Sequence, residues 1–409
     1  MEPVDRLTKR IEERCGRGEV GAAVRLIVGG GEELARVFKE YVLQAVIENT
    51  VKRELGERRS GYRGKALSPW SCPRCGPRLG RELRRNGHYV RRPLTAEGMV
   101  RLRIPQLVCR ECEKSVPFSH PLLPRRKRLW LDLDQQLLVL YLEGCSYRAV
   151  KRLLERKSRS GVSLMSLWRS FQGAGSTPRP PREHAQSRYL GLDEVHHRVR
   201  GEPRWFLSVR GQDEAGRKHW VGSVLSADRS RGAWEAALVG LGLSRYNPPF
   251  AVISDGDQAI ESAVAMTLPG VRTQRCTWHL KHNAAEWIKE RYPREDDEGQ
   301  RQGLMAAVHS IVDAPDLTQR EDSLAVLADV FPWLADGLRR SLNRVPPRDS
   351  AHPVRTNNLM ERGFRELRRR TRPMDGFGSD QGAANFHLLW MLKENARTNG
   401  RDYLAEILP

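Results

Sequence analysis

The chemistry this sequence offers rests on three acidic residues and four cysteines. Asp193 stands in the apolar run YLGLDEVHHRVRG, Asp255 closes FAVISD, and Glu361 lies in TNNLMERGFRELRRR. A carboxylate at the end of a buried strand loses hydration, so such a placement asks for a use. Hard oxygen ligands with open positions suit Mg²⁺ or Mn²⁺. Two such ions about 4 Å apart activate a water or a 3′-hydroxyl and stabilise the leaving oxygen of a phosphodiester. Spacing alone does not decide the matter: 61 residues separate Asp193 from Asp255, and 105 separate Asp255 from Glu361. A solvated Asp at a strand end is common.

The cysteines are more specific. Cys72 and Cys75 form CPRC, Cys109 and Cys112 form CREC, and 33 residues lie between the two knuckles. Tetrahedral Zn²⁺ takes two sulfurs from each such turn, and four thiolates leave no open position for catalysis. A structural zinc ribbon over 69–120 is the expectation. The alternative is two unrelated pairs of reduced thiols.

The elements that must position these residues follow from periodicity. Residues 1–68 read as helical, with apolar residues near helical spacing in EELARVFKEYVLQAVIENTVKREL. Within 130–173, CSYRAVKRLLERKSRSGVSLMSLWRSFQ has the rhythm of helix, polar turn, helix, with Ser163 as N-cap of the second. Val150, Leu153 and Leu154 are expected to pack on Leu164, Leu167 and Trp168. The second helix would then offer Ser166, Arg169 and Ser170 to a DNA groove. Two packed helices with a charged outer face are the alternative. STPRPPREHAQ marks a linker over 174–187. Beyond it, RYLGLDEVHHRVRG, RWFLSVRGQ and KHWVGSVLSAD read as three strands, and FAVISD as a fourth. VRTQRCTWH reads as a fifth strand, and 280–350 as mostly helical. On the helix from about Asn357, Leu359, Phe364 and Leu367 face a core. Asn357, Glu361, Arg365 and Arg368 fall on another face. If the first and fourth strands are neighbours, Asp193 and Asp255 lie side by side, and that helix carries Glu361 to them.

Charge narrows the partner. The chain has 409 residues and a net charge of +20. The excess is concentrated: +9 over 81–128, +8 over 148–182 and +5 over 362–372. Such patches suit a phosphate backbone. No transmembrane-length apolar run, lipidation motif or signal-peptide pattern is present, so a membrane partner is not expected. The expected location is cytoplasmic and nucleoid-associated, with reduced thiols.

LGLDEVHHRVRG, VISDGDQAI, RCTWHLKHN and NNLMERGFRELRRRTRPMDGF resemble the catalytic domain of mutator-type bacterial insertion-sequence transposases over about 189–395. The N-x-x-E-R…RRR context of Glu361 is the most specific piece. The resemblance implies a multidomain α/β protein. An RNase H-like mixed-sheet core with a helical insertion would span 188–409, after a zinc ribbon and a helix-turn-helix. It implies a DDE triad of Asp193, Asp255 and Glu361 holding two Mg²⁺ or Mn²⁺ ions. Cys276 and His279 of CTWH, with Asn357 and Arg362, would support the site. Arg169, Arg365, Arg368, Arg369 and Arg370 would bind DNA. The implied activity is strand cleavage and transfer at terminal inverted repeats, by a homodimer or higher oligomer on double-stranded DNA. The alternatives are a catalytically silent, transposase-derived DNA-binding protein and an RNase H-like nuclease without strand transfer. Asp257, Glu194, His196 and His197 flank the triad, and a surface role is expected for each.

Overall fold

This computed structural model describes residues 9–14, 17, 19–56, 67–123, 127–158, 161–176, 187–246, 248–350, 354–374 and 376–404. Most of the expected linker, 177–186, lies outside the described residues. The chain divides into two units, Met1–Phe171 and Gln172–Pro409.

In the first unit a long helix, α1 (Val20–Leu55), precedes a hairpin of β1 (Leu67–Cys72) and β2 (Gly76–Leu79). After β3 (Leu83–Arg91), the short pair β4 (Leu94–Thr95) and β5 (Gly98–Met99) leads into β6 (Leu102–Cys109) and β7 (Ser115–Val116). The last two form a sheet with β3 in the order β3-β6-β7. Leu43, Ile47 and Val51 recur every four residues along α1, so they share one face. They share a buried core with Trp70, Leu83, Leu102, Ile104 and Leu107. The N-terminal helix is therefore a support for the cysteine-bearing sheets. Helices α2 (Leu131–Leu142), α3 (Tyr147–Ser158) and α4 (Leu164–Ser176) follow. Ser163 caps α4 as expected, its Oγ accepting the Ser166 N–H at 3.0 Å.

The second unit is built on a five-stranded sheet of β8 (Tyr189–Val199), β9 (Glu202–Gln212), β10 (Lys218–Ser226), β11 (Ala251–Ser254) and β12 (Arg272–Arg275), in the order β10-β9-β8-β11-β12. The first three pair antiparallel; β8, β11 and β12 run parallel. The first and fourth strands of this half are thus neighbours, as the sequence reading required. Helices α5 (Arg231–Gly240) and α6 (Gln258–Thr267) cover one face, where Leu190, Leu192, Leu207 and Val252 pack on Trp234, Leu238 and Ile260. Four helices follow β12: α7 (Thr277–Arg291), α8 (Glu298–Val312), α9 (Leu317–Val330) and α10 (Pro332–Leu342). They share a core of their own around Leu280, Ile288, Val308, Leu324 and Leu338. The sequence reading ran the fifth strand through CTWH; instead the strand ends at Arg275, Cys276 caps α7 and Thr277 opens it. The chain ends with α11 (Asn358–Thr371) and α12 (Asp380–Thr398).

Helix α11 packs very closely on the other face of the sheet. Met360, Phe364 and Leu367 are buried there. Trp220 of β10 stands 5.9 Å from the Phe364 ring and 5.4 Å from Trp390 of α12, centroid to centroid. Asn395 of α12 accepts the Trp220 N–H and donates to its carbonyl, at 2.6 and 2.9 Å. A Cβ on Gly363 would meet the indole at 2.3 Å. Gly→Ala in a helix ordinarily stabilises by about 1 kcal/mol. Here the buried indole cannot yield, so Gly363→Ala should destabilise by about 1–3 kcal/mol. A lower urea midpoint would bear out this packing; a higher one would refute it.

Candidate active site

Strand alternation decides which carboxylates meet. Along β8, Leu190 and Leu192 face α5 and α6, so Gly191 and Asp193 face α11. On β11, Ala251 and Ile253 form a small cluster with Tyr189 and Cys276, and Val252 turns the other way. Ile253 pairs with Gly191. The paired register ends there; Asp255 directly follows the last residue of β11, and its charge is among those acting on Asp193.

Glu361 arrives by a separate route. Asn357, just ahead of α11, is 2% exposed. Its Nδ2 donates to the Leu192 carbonyl at 2.9 Å, and its backbone N–H reaches the Cys276 sulfur at 3.1 Å. The start of the helix is thereby joined to β8 and to the end of β12. Gly191 makes room, since a Cβ there would lie 2.2 Å from Asn357 Oδ1. Asn357 was expected on the face of Arg365 and Arg368; it is instead buried, as the staple between helix and sheet. Glu361 follows one turn later.

Asp193, His279 and Glu361 each offer a ligand atom within 4.8 Å of the others. Asp255 is not in this closest group. Its Oδ1 is held by the Asp257 N–H at 2.8 Å in its own turn. His279 Nε2 lies 3.5 Å from Glu361 Oε1. Burial, then the charges of Glu194, Glu361 and Asp255, push the Asp193 carboxyl up to about 7, against the opposing effect of His279. Burial would depress the His279 imidazole, but Cys276, Glu361 and Asp193 outweigh it and raise it to about 10. When its imidazole is protonated, His279 forms an ion pair with Glu361. The Glu361 carboxyl is held below its ordinary range, chiefly by His279 and further by Arg368 and Arg365.

These groups fit a divalent cation. Two acidic side chains at such distance repel, and burial keeps Asp193 from ionising freely; a hard cation relieves both. The flanking residues have other work. Asp257 caps α6, accepting the Ala259 N–H at 2.7 Å. Glu194, on the opposite face, pairs with Arg229 at 2.8 Å. His196 is exposed against Trp205. His197, expected at the surface, is buried 3.4 Å from His387, whose ring stacks on Phe206. It belongs to the core.

Arg362, Arg365, Arg368 and Arg369 are exposed along α11, and Arg370 is half-buried. Arg369 pairs with Glu366 at 2.6 Å. In the first unit the four cysteine sulfurs also lie within 4.8 Å of one another, Cys72 and Cys112 at 3.4 Å. The Cys75 N–H points at Cys72 Sγ. On α4, Arg169 is exposed, but Ser170 turns inward to donate to Asp134. Val150 and Leu154 of α3 and Leu167 and Phe171 of α4 are buried; Leu153, Leu164 and Trp168, expected in the seam between the two helices, are exposed. Tyr141 and Tyr147 stack at 4.2 Å beside Phe171 and take the place of the longer apolar seam.

The family profile described as Transposase, Mutator family, matches residues 76–399. The chain belongs to the Mutator family of transposases. The match is wider than the catalytic half alone and takes in Cys109 and Cys112. The chain is 26% identical over 362 residues to the transposase for insertion sequence element ISRM5 of Rhizobium meliloti, covering 84% of this chain and 82% of the relative. It is 27% identical to that for IS406 of Burkholderia multivorans, over 70% and 75% of the two chains. For the IS1081 transposase of Mycobacterium tuberculosis the identity is 28%, over 71% of each. A solved simian T-cell lymphotropic virus intasome in complex with PP2A regulatory subunit B56 gamma overlaps at a TM-score of 0.18 and 11% identity, over 53% of this chain and 78% of that one. That overlap is too small to bear on the fold. No described helix of this Mutator-family chain is long and apolar enough to cross a membrane.

A cation at this site needs Asp193 ionised. With its carboxyl raised to about 7, Asp193 is largely protonated at pH 6. Mn²⁺ binding should therefore release close to one proton at pH 6 and far less at pH 8.5. Affinity should rise by up to about tenfold per pH unit below 7 and level off above. Calorimetry in two buffers of different ionisation enthalpy reads this directly. Equal proton release at both pH values would contradict it.

Proposed function

We propose that this Mutator-family protein is a DNA transposase that binds the terminal inverted repeats of its element, cleaves at its ends and transfers the freed strands to target DNA. The observation that carries this reading is the convergence of Asp193, His279 and Glu361, each offering a ligand atom within 4.8 Å of the others, on a strand whose neighbour leads into Asp255. The order β10-β9-β8-β11-β12, with helices on both faces, supports an RNase H-like core in which α7 to α10 form the insertion.

Asp193, Asp255 and Glu361 would hold the catalytic Mg²⁺ or Mn²⁺ ions. Bound there, the ions would supply an activated water or 3′-hydroxyl and stabilise the leaving oxygen of a phosphodiester. The residues of the chain do the rest. Asp193 and Asp255 are set by adjacent strands, so their separation is fixed by sheet pairing. His279 stands 3.5 Å from Glu361 as an ion-pair partner; Asn357 and Cys276 fix the helix that carries Glu361. Arg362, Arg365 and Arg368 hold backbone phosphates against the face of α11, and Arg369 and Arg370 extend the basic surface. The cysteine cluster suits one structural Zn²⁺, held by Cys72, Cys75, Cys109 and Cys112 as a ribbon. With α3 and α4 as a helix-turn-helix presenting Arg169, it would bind the repeats. Two ends must be cut in concert, so a homodimer or higher oligomer on double-stranded DNA is expected.

The test is strand transfer in vitro, with labelled element ends, a supercoiled target and Mg²⁺ or Mn²⁺. Joined products are expected, falling by at least about 10³-fold in Asp255→Ala while affinity for the ends stays within about threefold. Cleavage without joining would indicate a nuclease. Binding without cleavage in either metal would indicate a catalytically silent DNA-binding protein.

A further inference from the structure

Away from the acidic cluster, a cavity of about 440 Å³ lies between the edge strand β12 and helices α9 and α10. Arg272 and Gln274, two residues apart on β12, both line it. So do Arg320 and Glu321 of α9, Arg339 of α10, and Arg344. Four arginines line it with one carboxylate, and although Arg339 and Arg344 are paired with Asp336 and Glu261 outside the lining, the lining itself favours an anion.

Arg320 is the unusual member. It is 1% exposed. Its Nη1 donates to the carbonyls of Val345 and Leu342, at 2.6 and 3.4 Å, which closes the C-terminal end of α10. That accounts for one of its three nitrogens. Nε and Nη2 have no partner, and among the described residues no carboxylate lies within ion-pair distance of the guanidinium. Gln274, 2% exposed, has neither amide atom paired. A buried guanidinium without a counter-ion is strongly unfavourable, and an apolar side chain of similar size would serve helix packing better. Two buried polar side chains, unpaired and lining one cavity, point to a ligand that completes them.

We infer that this cavity binds a phosphate group. The flat fork of Arg320 matches two oxygens of a phosphate, and the Gln274 amide can donate to a third. Arg339 and Arg344 stand among its lining residues, held by Asp336 at 3.3 Å and by Glu261, and draw the anion in. The phosphate is either that of a DNA strand or free in solution. The inference does not depend on the cleavage reaction, because the cavity and the acidic cluster share no residue.

The experiment uses the full chain and inorganic phosphate as probe, against chloride at equal ionic strength, read by calorimetry and by melting temperature. Saturable binding is expected, with a melting temperature that rises with phosphate concentration. Arg320→Lys keeps the charge and removes the fork; it should weaken binding about tenfold. Arg339→Gln alters a surface residue, keeps the fold, and should also weaken binding. A non-specific DNA duplex then identifies the source. If the duplex displaces phosphate, and Arg339→Gln lowers the slope of log affinity against log salt by about one, the phosphate belongs to DNA. If it does neither while phosphate still binds, the ligand is free phosphate. Failure of phosphate to bind beyond chloride, or equal binding by the parent and Arg339→Gln, would overturn the inference.

Discussion

Carboxylates crowded at the end of a buried sheet repel one another, and the second unit is arranged to hold them in place against that repulsion. The decisive contact is Asn357, whose side chain bonds the backbone of β8 and whose own N–H reaches Cys276. It joins the segment that carries Glu361 to the strand that carries Asp193. No flexible loop intervenes between clamp and carboxylate, only one turn of α11. A buried residue held both by its side-chain Nδ2 and by its backbone N–H has few alternative positions, which holds the helix register.

The sheet contributes the rest of the geometry. Parallel pairing of β8 and β11, up to Ile253 and Gly191, makes the strand that carries Asp193 the neighbour of the strand that leads into Asp255. Period-two alternation sends Glu194 to the opposite face, where Arg229 neutralises it. Asp257 is absorbed by a helix cap. Of five acidic residues near the strand ends, two are thus occupied elsewhere. Asp193 and Glu361 remain on the side of α11 together with His279, and Asp255, held by the Asp257 N–H, follows the end of β11. Close packing of α11 on Trp220 keeps that side dry enough to raise the Asp193 carboxyl.

Much of this was legible in the sequence, because strands and helices announce themselves through local periodicity. The first four strands, the helical stretch after β12, the α11 helix and the Ser163 cap stand where the pattern put them, and the fifth strand is there but ends before CTWH. The four cysteines could be grouped because two short motifs each specify a turn. What the pattern could not give was depth. Asn357 shares a helical face with Arg365 and Arg368 on paper, yet it sits at the first turn, where the helix meets the sheet. His197 reads as an ordinary strand residue; its burial depends on His387, 190 residues later. Leu153, Leu164 and Trp168 were assigned to a seam that Tyr141 and Tyr147 fill instead. His279 was placed near the site by likeness, but its contact with Glu361 required the first turn of α7 to meet α11. The misses at Asn357 and His197 involve partners more than 160 residues away, which local spacing does not encode.

The central claim is that one clamped helix and two paired strands make a single divalent-metal site. Anomalous diffraction from crystals soaked in Mn²⁺ measures it directly. The expected result is a strong peak about 2.2 Å from carboxylate oxygens of both Asp193 and Glu361, with Asp255 close enough to share it or a second peak. Both peaks should be lost in Asp193→Asn crystals that are otherwise unchanged. Mn²⁺ bound instead at Glu194 and Asp257, or no peak within reach of Glu361, would contradict the claim.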